Sequence, residues 1–133
     1  RAHGIDPAGR RVIIVGRSLV IGRPAALLLT RADATVTLCH RKTPDLAARC
    51  RDADILLAAA GAPGLITTDF VRPGQIVLDA GATALPDGTL RGDVAPDAAA
   101  IAVCTPVPGG IGSVTTALLL RHTVQAAENL RHF

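Results

Sequence analysis

One stretch near the start of the chain decides its fold: Val12-Ile13-Ile14-Val15-Gly16-Arg17-Ser18, then Gly22-Arg23-Pro24, then Ala25-Ala26-Leu27-Leu28-Leu29. The apolar, mostly β-branched run predicts a buried strand that ends at Gly16. Pro24 suits the first turn of the helix that follows, because its missing N–H would have no intrahelical partner there. A strand, a glycine and a helix N-terminus in this order present backbone N–H groups to a phosphate. The stretch therefore predicts a nucleotide cofactor, although a tight structural turn has the same local pattern.

The composition narrows the class of protein. With 133 residues, 49% hydrophobic and 19% charged, the chain is expected to form one globular domain with ample core. The net charge of +3 is compatible with nucleic acid, but only Phe70 and Phe133 are available to stack on bases. We therefore expect a small anionic ligand and no nucleic-acid partner.

The cysteines and the apolar runs indicate where the protein works. Cys39, Cys50 and Cys104 are odd in number and form no C-x-x-C pair, so neither a disulfide framework nor a metal site is predicted. A reducing cytoplasm is the simplest location. No apolar run approaches membrane-spanning length, and residues 1–6 lack signal-peptide character, so no membrane partner is expected.

Apolar β-branched runs alternate with helical patterns along the chain. Strands are predicted over residues 12–15, 35–39, 55–60, 76–79 and 100–104, with helices over 24–30, 45–51 and 114–130. Thr67 or Thr68 is expected to cap a brief helix, and Ser113, Thr115 or Thr116 the last one. The alternation predicts a Rossmann-like, doubly wound α/β fold with a mainly parallel sheet and flanking helices. Ligands of such sheets bind outside the carboxyl ends of the strands.

The end of the second strand favours one nucleotide. Dinucleotide-binding units normally carry Asp or Glu there for the ribose hydroxyls, whereas this chain has Cys39-His40-Arg41-Lys42-Thr43. Arg41 and Lys42, with Arg17 from the first loop, suit a 2′-phosphate, so NADP is preferred over NAD. The same cations are compatible with an ordinary solvated loop, and His40 with a local hydrogen bond.

A second motif combines rigid and permissive residues: Cys104-Thr105-Pro106-Val107-Pro108-Gly109-Gly110-Ile111-Gly112. The prolines fix the approach of the chain, and the glycines let backbone come close to a ligand. Asp79 and Asp93 follow predicted strands, where each is at least as suited to accepting backbone N–H bonds in a turn as to chemistry. We expect the proline-glycine loop to face a ligand.

These motifs resemble, in order, the cofactor-binding half of the bifunctional methylenetetrahydrofolate dehydrogenase/methenyltetrahydrofolate cyclohydrolase family. The matching blocks cover nearly the whole chain: residues 4–6, 15–18, 21–24, 34–40, 53–56, 71–74, 78–81, 92–94 and 105–112. Where many members have Cys-His-Ser-Lys-Thr, this chain has Arg41 in place of the serine. Ser113-Val114 precede Thr115 where members commonly have Pro-Met or Pro-Leu.

The resemblance implies a role for each site residue. Cofactor-binding positions would be Gly16, Arg17, Ser18, Gly22, His40, Arg41 and Ala82, the last standing where a larger aliphatic residue touches the cofactor through its backbone. Substrate-binding positions, facing the folate, would be Pro108, Gly109, Gly110, Ile111 and Gly112. No residue of this chain is expected to transfer a proton.

The resemblance also implies a larger enzyme. It would bind a tetrahydrofolate derivative, use NADP, form a homodimer, and place its catalytic lysine and Tyr-x-x-x-Lys motif in an N-terminal domain. This chain contains no tyrosine, so residues 1–133 are expected to be the NAD(P)-binding domain, inactive by themselves. The alternatives are a non-catalytic NADP-binding regulatory module and the cofactor domain of another NADP-dependent dehydrogenase, such as a shikimate-type enzyme.

Overall fold

The computed structural model describes residues 4–130. The strands in this part are β1 (Arg11–Val15), β2 (Thr35–Cys39), β3 (Ile55–Ala58), β4 (Ile76–Asp79), β5 (Thr83–Ala84), β6 (Leu90–Arg91) and β7 (Val103–Cys104). The helices are α1 (Gly22–Thr30), α2 (Leu46–Asp52), α3 (Pro96–Ile101) and α4 (Ile111–Leu130), with a short 3-10 helix at Thr68–Phe70.

Five strands form one parallel sheet in the order β2-β1-β3-β4-β7. The chain moves outward from β1 to β2, then returns to place β3 on the other side of β1. The direction of winding therefore reverses between β1 and β3, which is where ligands bind in doubly wound sheets. β5 and β6 form a separate antiparallel pair joined by a turn at residues 86–88. The prediction of a doubly wound, mainly parallel α/β fold is confirmed.

Alternate side chains of the central strands enter two apolar layers. Val12, Ile14 and Leu57 lie on the face covered by α1. Leu56 and Val77 lie on the opposite face, against α2, the 3-10 helix and α3. Burial on both faces explains why these strands are continuous apolar runs in the sequence.

Helix α4 contributes little to either layer. Its side chains from Ser113 onward are exposed, and Leu119 keeps 66% of its accessible surface. The helix has 20 residues, yet within residues 4–130 no helix combines the length and the apolar character needed to cross a membrane.

The prediction of a strand over residues 100–104 is wrong in its first half. Ala100 and Ile101 belong to α3, and only Val103 and Cys104 pair with β4. Pro96 at the start of α3 has a helical φ, and the three alanines that follow are the strongest helix formers. Local helix propensity therefore determines the structure up to Ile101, and pairing with β4 determines it from Val103.

The predicted capping hydroxyls are also wrong. Neither Thr67 nor Thr68 caps the 3-10 helix through its side chain. Helix α4 starts at Ile111, so Ser113 lies inside its first turn, and the hydroxyls of Thr115 and Thr116 donate to backbone carbonyls four residues earlier. Helix α4 thus starts three residues before its predicted start, and the remaining predicted boundaries differ from the structure by at most two residues. β3, for example, ends at Ala58, and the Ala60 N–H donates to Asp93.

The three cysteines are free thiols with raised pKa values. Cys39 and Cys50 are fully buried. Burial, and then the neighbouring Cys39, raise the pKa of Cys50 to about 12. Burial and the nearby Asp79 raise the pKa of Cys104 to about 11. In the folded protein these thiols therefore stay protonated well above the pH at which an exposed thiol ionises.

We expect the free energy of unfolding to fall as the pH rises from 9.0 toward 11, because the unfolded chain then releases thiol protons that the folded chain retains. For the fully buried Cys50 the slope reaches about 1.4 kcal/mol per pH unit. The chain has no tyrosine to titrate in the same interval. Urea unfolding with a reductant, at about pH 8 and about pH 10, measures the slope. The Cys50→Ala variant should have a shallower slope, and an identical slope would contradict the assignment.

Candidate functional site

All sequence-predicted site residues follow carboxyl ends of the parallel strands, at one edge of the sheet. His40 and Arg41 follow β2 at one side of this edge. Gly16, Arg17 and Ser18 follow β1, Ala82 follows β4, and residues 108–112 follow β7 at the other side. The structure thus brings together, along one sheet edge, residues that are up to 96 positions apart in the sequence.

Gly16 is the first residue after β1 and lies between the ends of the neighbouring strands β2 and β3. Its φ is +126°, a backbone conformation that residues with side chains rarely adopt. Its N–H donates to the Cys39 carbonyl over 2.9 Å, while a Cβ at this position would overlap the carbonyl of Ala59. Glycine is therefore required here for both conformation and space.

Gly22 brings the first turn of α1 against this loop. It is buried, and a Cβ on it would overlap the carbonyl of Gly16. Ser18 closes the turn between them: its hydroxyl accepts the Ile21 N–H at 3.2 Å, and its carbonyl accepts the Arg23 N–H at 3.0 Å. The helix N-terminus is thereby held at the end of β1.

Backbone donors remain available in this loop. Among residues 4–130, the N–H groups of Arg17 and Ser18 donate no hydrogen bond. Such donors beside a helix N-terminus form the usual cradle for a phosphate. The junction therefore fits a nucleotide.

The turn after β2 is stabilised by hydrogen bonds between its own residues, and its two cationic side chains are exposed to solvent. The His40 N–H donates to the Thr43 hydroxyl over 2.9 Å, and the His40 Nδ1 accepts the Lys42 N–H at 3.1 Å. Arg41 and Lys42 are exposed, as is Arg17. Both ion pairs of the described residues involve Asp54, so these three cations are unpaired there. His40 has the local hydrogen bond that the sequence left open, and its role toward a ligand stays a prediction.

Asp79 and Asp93 bind backbone amides at the other side of the edge. Asp93 is fully buried, and its carboxylate accepts the N–H groups of Ala60, Gly61 and Ala62 at 2.6–3.0 Å. The Asp79 carboxylate accepts three further N–H groups at 2.9–3.0 Å, from Gly81, Asp93 and Val94. Of the two roles that the sequence left open for these residues, the structure has the turn-stabilising one.

The proline-glycine loop follows β7 and is anchored to β4. The Thr105 hydroxyl accepts the Asp79 N–H at 2.8 Å, the Val107–Pro108 peptide bond is cis, and Gly109 has a φ of +96°. A Cβ on Gly110 would overlap the Pro106 carbonyl. A cavity of about 320 Å³ lies against the start of this loop, lined in part by Asp79, Gly92 and Thr105.

The arrangement suits binding and orientation more than proton transfer. Backbone N–H groups that can bind a phosphate, and cations without an ion-pair partner among the described residues, lie at the β1–β2 side. The buried carboxylates of Asp79 and Asp93 already accept hydrogen bonds from backbone amides. Within the described residues, no cluster of three or more His, Cys, Asp and Glu side chains could hold a metal ion.

Comparison with known proteins agrees with this geometry. Residues 1–131 match the family model of the tetrahydrofolate dehydrogenase/cyclohydrolase NAD(P)-binding domain. The chain belongs to this family. The resemblance inferred from the motifs is thereby confirmed.

Members of the tetrahydrofolate dehydrogenase/cyclohydrolase family are similar to the chain over almost all its length. The bifunctional protein FolD 1 of Rhodococcus jostii is 60% identical over 129 residues, which are 94% of this chain and 43% of that protein. FolD of Chloroflexus aurantiacus is 55% identical, over 95% of this chain and 45% of its own length. The chain thus spans less than half the length of these relatives.

Solved structures of the tetrahydrofolate dehydrogenase/cyclohydrolase family share the fold. The FolD enzyme of Campylobacter jejuni has a TM-score of 0.89 at 43% identity, covering 96% of this chain and 46% of that one. The Trypanosoma brucei enzyme, solved with NADP cofactor and an inhibitor, has a TM-score of 0.83 at 41% identity, covering 92% and 45%.

We expect Gly22→Ala to destabilise the protein by about 1–3 kcal/mol, the usual effect of overpacking, because its methyl group would overlap the Gly16 carbonyl. Gly112→Ala is the matched control: it lies in α4, and apart from its chain neighbours and its own helix backbone no heavy atom of the described residues lies within 4 Å of its Cβ position. This variant should therefore be neutral or slightly stabilising. Urea unfolding of both variants measures the difference, and equal stability would contradict the close contact.

Proposed function

We propose that this chain is the NADP-binding domain of a 5,10-methylenetetrahydrofolate dehydrogenase/5,10-methenyltetrahydrofolate cyclohydrolase. One observation carries the choice of NADP: within an NAD(P)-binding family, the end of β2 bears exposed Arg41 and Lys42 and no acidic side chain. An acid there would repel a 2′-phosphate, whereas cations attract it.

The loop after β1 supports the pyrophosphate. The N–H groups of Arg17 and Ser18 donate to its oxygens, and Gly16 and Gly22 allow the close approach of strand, loop and helix. The partial positive charge of the α1 N-terminus acts in the same direction.

The 2′-phosphate lies between the ends of β1 and β2. Arg17 and Arg41 each offer a planar guanidinium that can donate two parallel hydrogen bonds to phosphate oxygens, and Lys42 adds a third charge. His40 holds the turn that carries Arg41, through its bonds with Lys42 and Thr43.

The reacting end of the cofactor lies toward β4 and β7. Ala82 contacts it through its backbone, and residues 108–112 face the folate. When bound, NADP⁺ supplies the acceptor for the hydride that leaves the methylene carbon of 5,10-methylenetetrahydrofolate, and the methenyl product is then hydrolysed. This domain contributes proximity and orientation.

The remaining parts of the proposal concern the whole protein. An N-terminal domain supplies the catalytic lysine and the Tyr-x-x-x-Lys motif, which fits the coverage of less than half of each relative. The protein works as a cytoplasmic homodimer and binds a tetrahydrofolate derivative between its domains.

We expect the chain to bind NADPH more tightly than NADH, and Arg17→Ser to weaken NADPH by about 1.5–3 kcal/mol, the value of a lost charge-assisted hydrogen bond. NADH should be little affected. Titration followed by nicotinamide fluorescence measures both, with no tryptophan in the chain to interfere. Arg31→Ser, an exposed arginine at the other end of α1, is the control and should change neither affinity. Equal affinity for NADH and NADPH would contradict the roles of Arg17 and Arg41.

We further expect purified residues 1–133 to show no NADP-dependent oxidation of 5,10-methylenetetrahydrofolate, because the proposed catalytic lysine lies in the N-terminal domain and the buried carboxylates within residues 4–130 accept backbone amides. The protein expressed from the complete reading frame should catalyse it. The assay follows NADPH formation by absorbance, and turnover by the 133-residue chain alone would contradict the division of labour.

A further inference from the structure

Two buried carboxylates link the loops at the β3–β7 side of the sheet edge. Asp79 at the end of β4 accepts the N–H of Asp93, and Asp93 in turn accepts three N–H groups of the loop after β3. The Asp79 N–H donates to the Thr105 hydroxyl at the start of the proline-glycine loop. One chain of hydrogen bonds thus joins the segments after β3, β4, β6 and β7.

The surrounding glycines leave these carboxylates just enough room. A Cβ on Gly92 would overlap the Asp79 carboxylate, and a Cβ on Gly81 would overlap the Asp93 backbone and carboxylate. Asp79 is 4% exposed and Asp93 is not exposed at all. Asp93 is therefore enclosed, whereas Asp79 keeps a small exposed part at the wall of the cavity beside the proline-glycine loop.

Every hydrogen bond that the described residues make to the two carboxylates comes from a backbone N–H. An ionised carboxylate only accepts hydrogen bonds, and buried N–H groups without an acceptor are costly. Asp79 and Asp93 thus fix where the loop backbones lie.

We propose that Asp93, held by Asp79, is a positioning residue for the nicotinamide half of the cofactor site. The inference rests on the proposed function, in which the 2′-phosphate end lies at β1 and β2. The reacting end then lies over the loops that this pair holds. Cofactor affinity therefore depends on Asp93 only for ligands that extend past the pyrophosphate.

The Asp93→Asn variant tests this role. Asparagine keeps the shape of the side chain but replaces one acceptor oxygen by an NH₂ group that faces backbone N–H donors. The loop of Ala60, Gly61 and Ala62 should then lose its fixed position, and its amides should exchange with solvent faster.

The experiment uses the protein expressed from the complete reading frame and two ligands, NADPH and adenosine 2′,5′-bisphosphate, which contains only the 2′-phosphate half. With Asp93→Asn, the Kd for NADPH should rise about tenfold, or about 1.4 kcal/mol, while the Kd for adenosine 2′,5′-bisphosphate stays unchanged. Calorimetry measures both, and hydrogen exchange reports on residues 60–62.

Gln75→Leu is the matched control for a loss of stability alone. Gln75 is 1% exposed and binds the carbonyls of Cys50 and Ala53 at the opposite end of β4, about 13 Å along the strand from Asp79. This variant should unfold more easily, yet bind both ligands as the unaltered protein does.

Should Asp93→Asn fail to fold, Thr105→Val replaces it, since it removes only the acceptor of the Asp79 N–H and should give the same selective loss at smaller size. Unchanged NADPH affinity, or an equal loss for both ligands, would overturn the positioning role. Failure of the unaltered protein to bind NADPH would instead overturn the proposed function, and this inference with it.

Discussion

The contact of backbone with backbone at the end of β1 is the constraint on which the site depends. Gly22 at the start of α1 lies against the Gly16 carbonyl, and Gly16 lies against the carbonyl of Ala59. These contacts seat a helix N-terminus where the winding of the sheet reverses, so that two loops and a helix dipole converge on one point. The apolar strands on both sides hold the contact in place, because they are buried on both faces of the sheet.

The sequence predicted the parallel strands well because their burial on two faces makes them continuous apolar runs. β2 and β4 have the predicted bounds. Residues 96–104 were harder: local helix propensity governs Ala100 and Ile101, while the short β7 exists only because β4 offers it an unpaired edge. The helical spacing of α4 likewise predicted a helix, but spacing alone does not say whether a helix is buried.

The candidate site was predictable where its chemistry is local. Gly16, Arg17 and Arg41 follow strands directly, so topology alone brings them to one edge. The network of Asp93 with Ala60, Gly61 and Ala62 joins residues more than 30 positions apart, which no local pattern reveals. The available signals were Asp79-Ala80-Gly81 and Gly92-Asp93, each a carboxylate near a glycine in sequence. In the fold, Gly81 makes room for Asp93 and Gly92 makes room for Asp79.

The two sides of the edge are organised by opposite means. At the β1–β2 side, Arg41 and Lys42 are exposed on a short turn that is stabilised by its own hydrogen bonds. Replacing either side chain there alters the charge with little effect on the core. At the β3–β7 side, the buried carboxylates of Asp79 and Asp93 accept hydrogen bonds from backbone N–H groups. Replacing either side chain there leaves buried amides without an acceptor. Charge selectivity can therefore vary independently of the loop geometry, and Arg41 lies on the side where such variation has the smallest effect on folding.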